Sequence, residues 1–560
     1  MKRNRLSLLL ALCMTVSLLV GCTTNPPAAT TAAPTTAPAA TEASTPTPEP
    51  PKALTEITLP IVTDETKLSI YMELDVMDFS AYDNSANMPI SKEIMKRTGL
   101  TLTFVHPPAG QGREHFNMTV ASGELPDITF GCFGSYYAGG AEQAFKDGII
   151  IDVEPMIEML APNFKKLVLS QELARKIVHT DNGFLSGFGT TIAFEVKLGE
   201  GYVYGGPMIR KDLLEKSGLS VPVTIDDWST MLAKFKEMGV KYPLGWTHDG
   251  KNWDPMWSDW TFLSAYDLGR DWIVDDGKIV FSRIEPAFKN YITLLADWFA
   301  KGYIDPDFAT KTYLEHLKYA SQIGEVGACD HHIYEYGSIH PASAEGGFDM
   351  IPVPEPVLTA GQKLRAKQDW GWDCGSEGKY ISKKCKTPET AVKFIDWLYT
   401  DEAKMLYCWG IEGVSYEIVN GKPQYTDFYH SNEEINNRLY CPNSWNQNVS
   451  QDQNMAQYSL PIQQEAFQVW GNNALYDIGN DRSLRLPIGF STASFSPEES
   501  TTFNETYVPI NDYFQQMFIK MVMGVEPVAK FDEMVQTMKD MGIQKCIDIY
   551  QAAYERFQAR

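Results

Sequence analysis

From Leu54 onward the chain alternates short apolar runs with stretches whose apolar positions recur at helical spacing. "KLSIYME", from Lys67 to Glu73, alternates apolar and polar residues and predicts a strand. "PISKEIMKRTG" predicts a helix closed by Gly99, and "LTLTFVHP" predicts a second strand. A helical stretch over Glu114 to Ala121 comes next, and Pro126 and Asp127 then introduce a buried strand from Ile128 to Phe130. "GGAEQAFKDGIIIDVEPMIEMLAPNF" reads as helix, turn, strand and helix. Repeated β-then-α units call for a parallel sheet covered by helices on both faces.

Helical patterns dominate the C-terminal half: Ile284 to Ala300, Pro388 to Tyr399, Asp401 to Trp409, and two more between Tyr507 and Phe557. Some helix starts are spelled out. In "VTIDDWSTMLAKFKEMG" Thr224 can cap, Asp227 can complete a capping box and Gly239 can end the helix. In "KTPETAVKFIDWLYTDEA" Thr387 caps, with Pro388 at the first helical position where a missing N–H costs nothing. The stripe Phe531, Met534, Val535, Met538 and Met541 has the spacing of a core-facing helix surface.

The first residues follow a different rule. Lys2, Arg3 and Arg5 form a cationic start and Leu6 to Val20 is almost wholly apolar, which predicts an export signal. At about 15 residues the run is short of the ~20 that span a bilayer as a mature helix. "LVGC", Leu19 to Cys22, resembles a bacterial lipobox, whose cysteine becomes the lipidated first residue; Val20 stands where Ala or Ser is commoner. Thr23 to Pro51 is Thr, Ala and Pro with a little Ser and Glu, and it has no large apolar side chain to bury. As a Pro-rich spacer at ~3.1 Å per residue it could hold a folded body up to ~90 Å from the anchor. Two acyl chains on Cys22 would give stable attachment where one is marginal.

Charge then narrows the partners. The formal net charge is −23. Residues 1–21 carry Lys2, Arg3 and Arg5 and no acid, so their removal takes −23 to −26. An acidic surface of that size repels phosphate backbones and anionic lipid, which argues against nucleic acid. With 44% hydrophobic residues the folded part can bury large cores, and its length suggests two or more domains. After Cys13 and Cys22, the cysteines Cys132, Cys329, Cys374, Cys385, Cys408, Cys441 and Cys546 are scattered, with no CxxC spacing. They predict mostly buried thiols rather than a disulfide framework or a zinc site.

Catalytic signatures fail on inspection. "GWTHDGKN", Gly245 to Asn252, lacks the Ser or Thr that a phosphate-binding loop places on magnesium. Ser376 and Lys379 have acyltransferase spacing, but Gly375 and Gly378 make that stretch a loop. His331, His332 and Glu335 lie close in sequence, yet adjacent histidines point apart and HExxH is absent. A glycosidase carboxylate pair, ~5 to 9 Å apart, leaves no trace in sequence spacing. Aromatic residues in Gly-rich or polar contexts stand out instead: Trp246, Trp253, Trp257 and Trp260, then Trp370 and Trp372, then Trp445. An indole can stack on the apolar C–H face of a pyranose while Asp, Asn and His serve the hydroxyls.

On these residues the chain resembles a carbohydrate-type extracellular solute-binding lipoprotein of a bacterial ABC importer, most like the large lipoproteins of Gram-positive bacteria. The matching pieces are the lipobox, "ASGELPDITF", "GIIIDVEPMIEMLAPN", "YGGPMIRKDLLEKSGLSVPVTIDDWSTMLAKFKEMG", "GEVGACDHH", "FDMIPVPEPV" and "YISKKCKTPETAVKFIDWLYTDEAKMLYCWG", in the family's order. The resemblance implies an α/β, two-lobed periplasmic-binding-protein-like fold of type II, with a hinge and a ligand cleft at the lobe interface. It implies a signal peptide over 1–21, a lipidated Cys22 and linker over 22–53, a first lobe of 54–165 plus 371–440, and a second of 166–370 plus 441–560.

By the same resemblance, ligand contacts come from the loop Gly131 to Tyr137, with Phe133 and Tyr136, and from the loop Cys329 to His332, with Asp330 and His331. Tryptophans Trp246, Trp370, Trp372 and Trp445 complete the set. Maltose-binding relatives carry a Trp and an Asp-Arg pair in the first of these loops; here it reads "GCFGSYY", so the sugar identity does not transfer. The calcium loop of some large relatives is not visible near Gly245, so no metal and no cofactor are expected. The expected molecule is a monomeric, non-enzymatic receptor on the outer face of the membrane, serving an ABC permease with a carbohydrate. The alternatives are a glycan- or peptide-cleaving lipoprotein and a peptide receptor on the same fold.

Overall fold

A computed structural model describes residues 53–74, 81–189, 205–246, 261–269, 271–311, 324–332, 347–364, 378–441, 461–470 and 495–560. Met1–Pro51 forms one unit and Lys52–Arg560 the other, and the description below concerns the second. Cys22, Trp370, Trp372 and Trp445 lie outside the described residues, as do the side chain of His331, Ser376, Glu335 and the loop tryptophans Trp253, Trp257 and Trp260.

The strands are β1 (Lys67–Tyr71), β2 (Thr101–Val105), β3 (Ile128–Phe130), β4 (Gly205–Arg210), β5 (Tyr242–Gly245), β6 (Trp272–Asp275), β7 (Lys278–Phe281), β8 (Val326–His332), β9 (Met350–Pro352), β10 (Lys379–Ile381), β11 (Tyr416–Val419) and β12 (Lys422–Tyr425). Two four-stranded sheets have the orders β10-β3-β1-β2 and β5-β8-β4-β9, and β6-β7 and β11-β12 are hairpins. In the first sheet β1 pairs parallel with β2 and β3, as the β-then-α alternation predicts. The crossovers are the helices Pro89–Thr98 and Gly112–Ser122. Pro89 starts the first helix and Gly99 ends it at φ 77°, where an added Cβ would lie 2.1 Å from the Val62 carbonyl oxygen, so only glycine fits.

The expectation of a wholly parallel sheet is corrected in two places. β10 enters the first sheet antiparallel to β3. In the second sheet only β5 and β8 run parallel, while β4 is antiparallel to both β8 and β9. A long crossover permits a parallel partner but does not require one.

Each sheet has its own apolar core. The first gathers Leu68, Ile70, Leu102, Phe104 and Ile128 with Ile94, Phe164, Val392, Ile395 and Trp409. One buried acid ties its helices together: Asp396, in the helix Pro388–Trp397, accepts from the Phe164 backbone N–H at 2.7 Å and from Asn163 Nδ2 at 2.8 Å. Burial outweighs those donors and pushes its carboxyl up to about 6. The second core gathers Trp228, Phe235, Phe262, Trp298, Phe518, Met534, Met538 and Phe557. Phe262 sits edge-on between Trp228 (5.1 Å) and Trp298 (5.0 Å). Burying each such side chain contributes roughly 1.5 to 3 kcal/mol.

Local signals held unevenly. The helix Ile225–Glu237 starts in the expected box, with the Thr224 hydroxyl accepting from Asp227 N and the Asp227 carboxylate accepting from Thr224 N. Thr387 precedes Pro388 but makes no side-chain cap bond. The C-terminal region holds three helices where two were expected, Pro497–Val522, Phe531–Asp540 and Ile543–Ala559; the first opens on a Ser496/Glu499 capping box and continues through Pro509. Phe531, Met534, Val535 and Met538 are buried, whereas Met541 lies past the helix end, 36% exposed.

Two segments distant in sequence, ending at Gly189 and starting at Gly378, meet beside the first sheet. Phe188 N–H donates to the Lys379 carbonyl (3.1 Å) and Lys379 N–H to the Phe188 carbonyl (2.9 Å), so the two segments lie side by side. Gly187 there has φ 116°, and a Cβ would lie 2.8 Å from the Tyr380 ring. The Phe188 ring packs on Phe164 at 4.9 Å, and the Tyr399 hydroxyl donates to the Gly189 carbonyl. The first core thus braces Phe188 and Gly189.

Candidate ligand-binding site

Beside these paired segments opens a cavity of about 840 Å³. One side brings Tyr136, Tyr137, Glu142, Asp181, Asn182 and Tyr380; the other brings Ser496, Ser500, Asn504 and Arg556. Ser186, Gly187, Gly189 and Gly378 form the wall where these two segments pair.

The aromatic wall follows from how β3 ends. Gly131 and Cys132 both take positive φ, 73° and 72°, and turn the chain into the single helical turn Phe133–Tyr136. Cys132 is a non-glycine residue in that region, which costs backbone strain. Phe133 points inward and is fully buried, with its ring 5.0 Å from both Phe116 and Tyr380. Tyr136 stays on the wall. Its hydroxyl donates to Glu73 at 3.0 Å, and the Arg113 guanidinium lies 4.8 Å above its ring. Tyr137 donates to Asp147 at 2.7 Å. Burial and the neighbouring carboxylate push each phenol up to about 12, so both remain neutral hydroxyls.

The charges of the wall are engaged with one another. Lys146 pairs with Glu142 at 2.7 Å, and Asn182 Nδ2 donates to the same carboxylate at 2.7 Å. Gln143 donates to Asp147 at 2.8 Å. Arg556, in the last helix, donates from Nε to Asp181 at 2.7 Å and from Nη1 to Glu499 at 3.0 Å. Arg560 reaches the other Asp181 oxygen at 2.8 Å and the His179 carbonyl at 2.6 Å, while Lys176 Nζ donates to the Gln558 carbonyl at 2.9 Å. The final helix, whose Tyr550, Ala553 and Phe557 belong to the second core, is therefore clasped to the first half.

The residues singled out from the sequence divide. Tyr136 lines the cavity and Phe133 supports it from below. Trp246 is fully buried in the second core, 4.9 Å from Phe308 and 6.2 Å from Phe518. Asp330, also buried, accepts from the Thr261 hydroxyl. Trp246 and Asp330 flank a void of about 10 Å³, no more than one water fills. His331 occupies β8, in register with Gly206 of β4. Arg113, Gln143, Asn182, Asn504 and Arg556 had no local signal beyond being polar. No histidine or cysteine lines the cavity among the described residues, and none of these contains a cluster of three metal-ligating side chains.

Two four-stranded sheets with separate cores and a polar, aromatic-walled cavity define a mixed α/β, two-lobed fold. Residues 80–405 match the model of the bacterial extracellular solute-binding protein family, and the chain belongs to it. It is 24% identical over 347 residues to the fructooligosaccharide ABC transporter substrate-binding protein FusA of Streptococcus pneumoniae serotype 4 (strain ATCC BAA-334 / TIGR4), a match spanning 58% of this chain and 60% of that protein's length. It is 22% identical over 482 residues to lipoprotein LipO of Bacillus subtilis (strain 168), across 82% of this chain and 87% of the relative. Among solved structures, FusA in complex with kestose superposes with TM-score 0.68 at 17% identity, covering 88% of this chain and 100% of that one. The alginate-binding protein AlgQ2 without calcium ion gives 0.63 at 21%, covering 90% and 100%. The fold is that of two-lobed solute-binding proteins.

Proposed function

We propose that this protein is a receptor that takes up an oligosaccharide between its lobes and hands it to an ABC permease, without covalent chemistry. The carrying observation is the 840 Å³ cavity beside the paired segments, near the upper end of the ~300 to 1,000 Å³ usual for ligand sites. Its phenols, amides and hydroxyls suit a ligand that offers many hydroxyl groups and an apolar ring face. The relatives, a fructooligosaccharide ABC transporter substrate-binding protein and a lipoprotein, support the same reading.

In this reading Tyr136 and Arg113 contact the ligand, and Trp370, Trp372, Trp445 and His331 are further candidates. The first lobe runs to Gly189 and resumes from Gly378 to Cys441, and the remainder forms the second. Lipid on Cys22 and the Thr/Ala/Pro spacer hold a monomer at the outer face of the membrane. The test is thermal shift of the lipid-free chain against a panel of fructo-, manno-, xylo- and cello-oligosaccharides. One of them should raise the melting temperature and be recovered unaltered, a ligand at a hundred times its Kd contributing ~2.7 kcal/mol. A panel without any shift, or a saccharide returned cleaved, overturns the receptor reading.

A further inference from the structure

We propose that the cavity selects neutral oligosaccharides and discriminates against chains of the same length built from uronic acids. The inference rests on the receptor reading above and goes further, because it follows from how the charges of the wall are distributed. Among the described residues three cations line the cavity: Arg113, Lys146 and Arg556. Lys146 is held by Glu142 at 2.7 Å, and Arg556 is held between Asp181 at 2.7 Å and Glu499 at 3.0 Å. Only Arg113 makes no ion pair among the described residues, and its guanidinium lies over the Tyr136 ring.

A uronic acid chain brings one carboxylate on every ring. Each would leave water for a wall that, among the described residues, has one guanidinium outside an ion pair and two carboxylates, Glu142 and Asp181, already in place. Carboxylates without a partner in such a site are strongly disfavoured. The long-range field acts the same way, since a net charge of −23 lowers the local concentration of anions. Neutral hydroxyls meet no such opposition. The wall still offers directed groups: the N–H groups of Arg113 serve as hydrogen-bond donors, and Ser500, Asn504, Thr180 and Asn182 add short polar side chains around the wall.

The experiment is calorimetric titration of the whole lipid-free chain with manno-, fructo- and cello-oligosaccharides, set against oligogalacturonides and oligomannuronates of matched length. The best neutral ligand should bind at least about tenfold tighter than any uronic one, with an affinity that barely changes with salt. A uronic chain that binds as well as the best neutral one overturns the selectivity while leaving the receptor reading standing. Silence in both series overturns the receptor reading, and the selectivity with it. A second arm uses Glu142→Gln, which releases Lys146. It should improve uronic binding about three- to tenfold relative to neutral binding, at an unchanged melting temperature. An unaltered ratio would show that ion pairing on the wall is not what excludes acidic sugars.

Discussion

Trp246 shows how one residue can carry two opposite signals. Its neighbours Gly245 and Thr247 and the polar stretch after them read as loop, and a loop tryptophan reads as a sugar platform. The residues that claim it, Phe308 and Phe518, are far away in sequence and leave no trace near position 246. Replacing Trp246 with Ala should therefore lower stability by about 3 to 5 kcal/mol, the usual cost of emptying a large aromatic site. Denaturant melts would measure it, and titration below the transition should find ligand affinity unchanged. An Ala variant that melts like the parent but binds weakly would return Trp246 to the ligand. Tyr136 was named through the family resemblance alone, which puts ligand contacts in the loop Gly131 to Tyr137, and it stands on the cavity wall. Arg113 and Arg556 were hidden, since an exposed-looking arginine on a helix is indistinguishable from ordinary solvated charge until its partner is known.

At the scale of elements, whatever depends on nearby residues was legible and whatever depends on return paths was not. The Thr224/Asp227 box and the Gly99 stop are local chemistry and appear as read. The antiparallel entry of β10 is decided by where the chain comes back from the second lobe, which no window of sequence contains. The last helix illustrates the same limit: its apolar stripe is readable, but its attachment to the first half through Asp181 is not. That attachment should be measurable. Asp181→Ala leaves Arg556 and Arg560 without their shared carboxylate and should cost about 1 to 2 kcal/mol, toward the lower end because Arg556 is 35% exposed and solvent screens it. Hydrogen exchange should accelerate over Ile543–Ala559 more than over Pro286–Ala300, a helix of the same core that makes no part of the clasp. Uniform acceleration across both helices would mean the clasp is only one contribution to global stability.

For the whole molecule, a two-lobed fold with separate apolar cores implies that the lobes can change their mutual angle while each keeps its interior. Small-angle scattering should show a smaller radius of gyration once the saccharide with the largest thermal shift is added, with far-ultraviolet dichroism unaltered; an unchanged profile at saturation would argue against closure. The same layout has a consequence for biosynthesis. A chain made from its N-terminus presents β1, β2 and β3 early, but the edge of that sheet waits for β10, and its core waits for Val392, Ile395 and Trp409. Everything from 190 to 377 must be translated in between. The first lobe is thus the first begun and cannot be completed until most of the second has been made, so for that interval it exposes an open sheet edge and apolar side chains. A nascent chain of this design favours a holding factor that binds unfolded polypeptide, and the first lobe sets how long that protection must last.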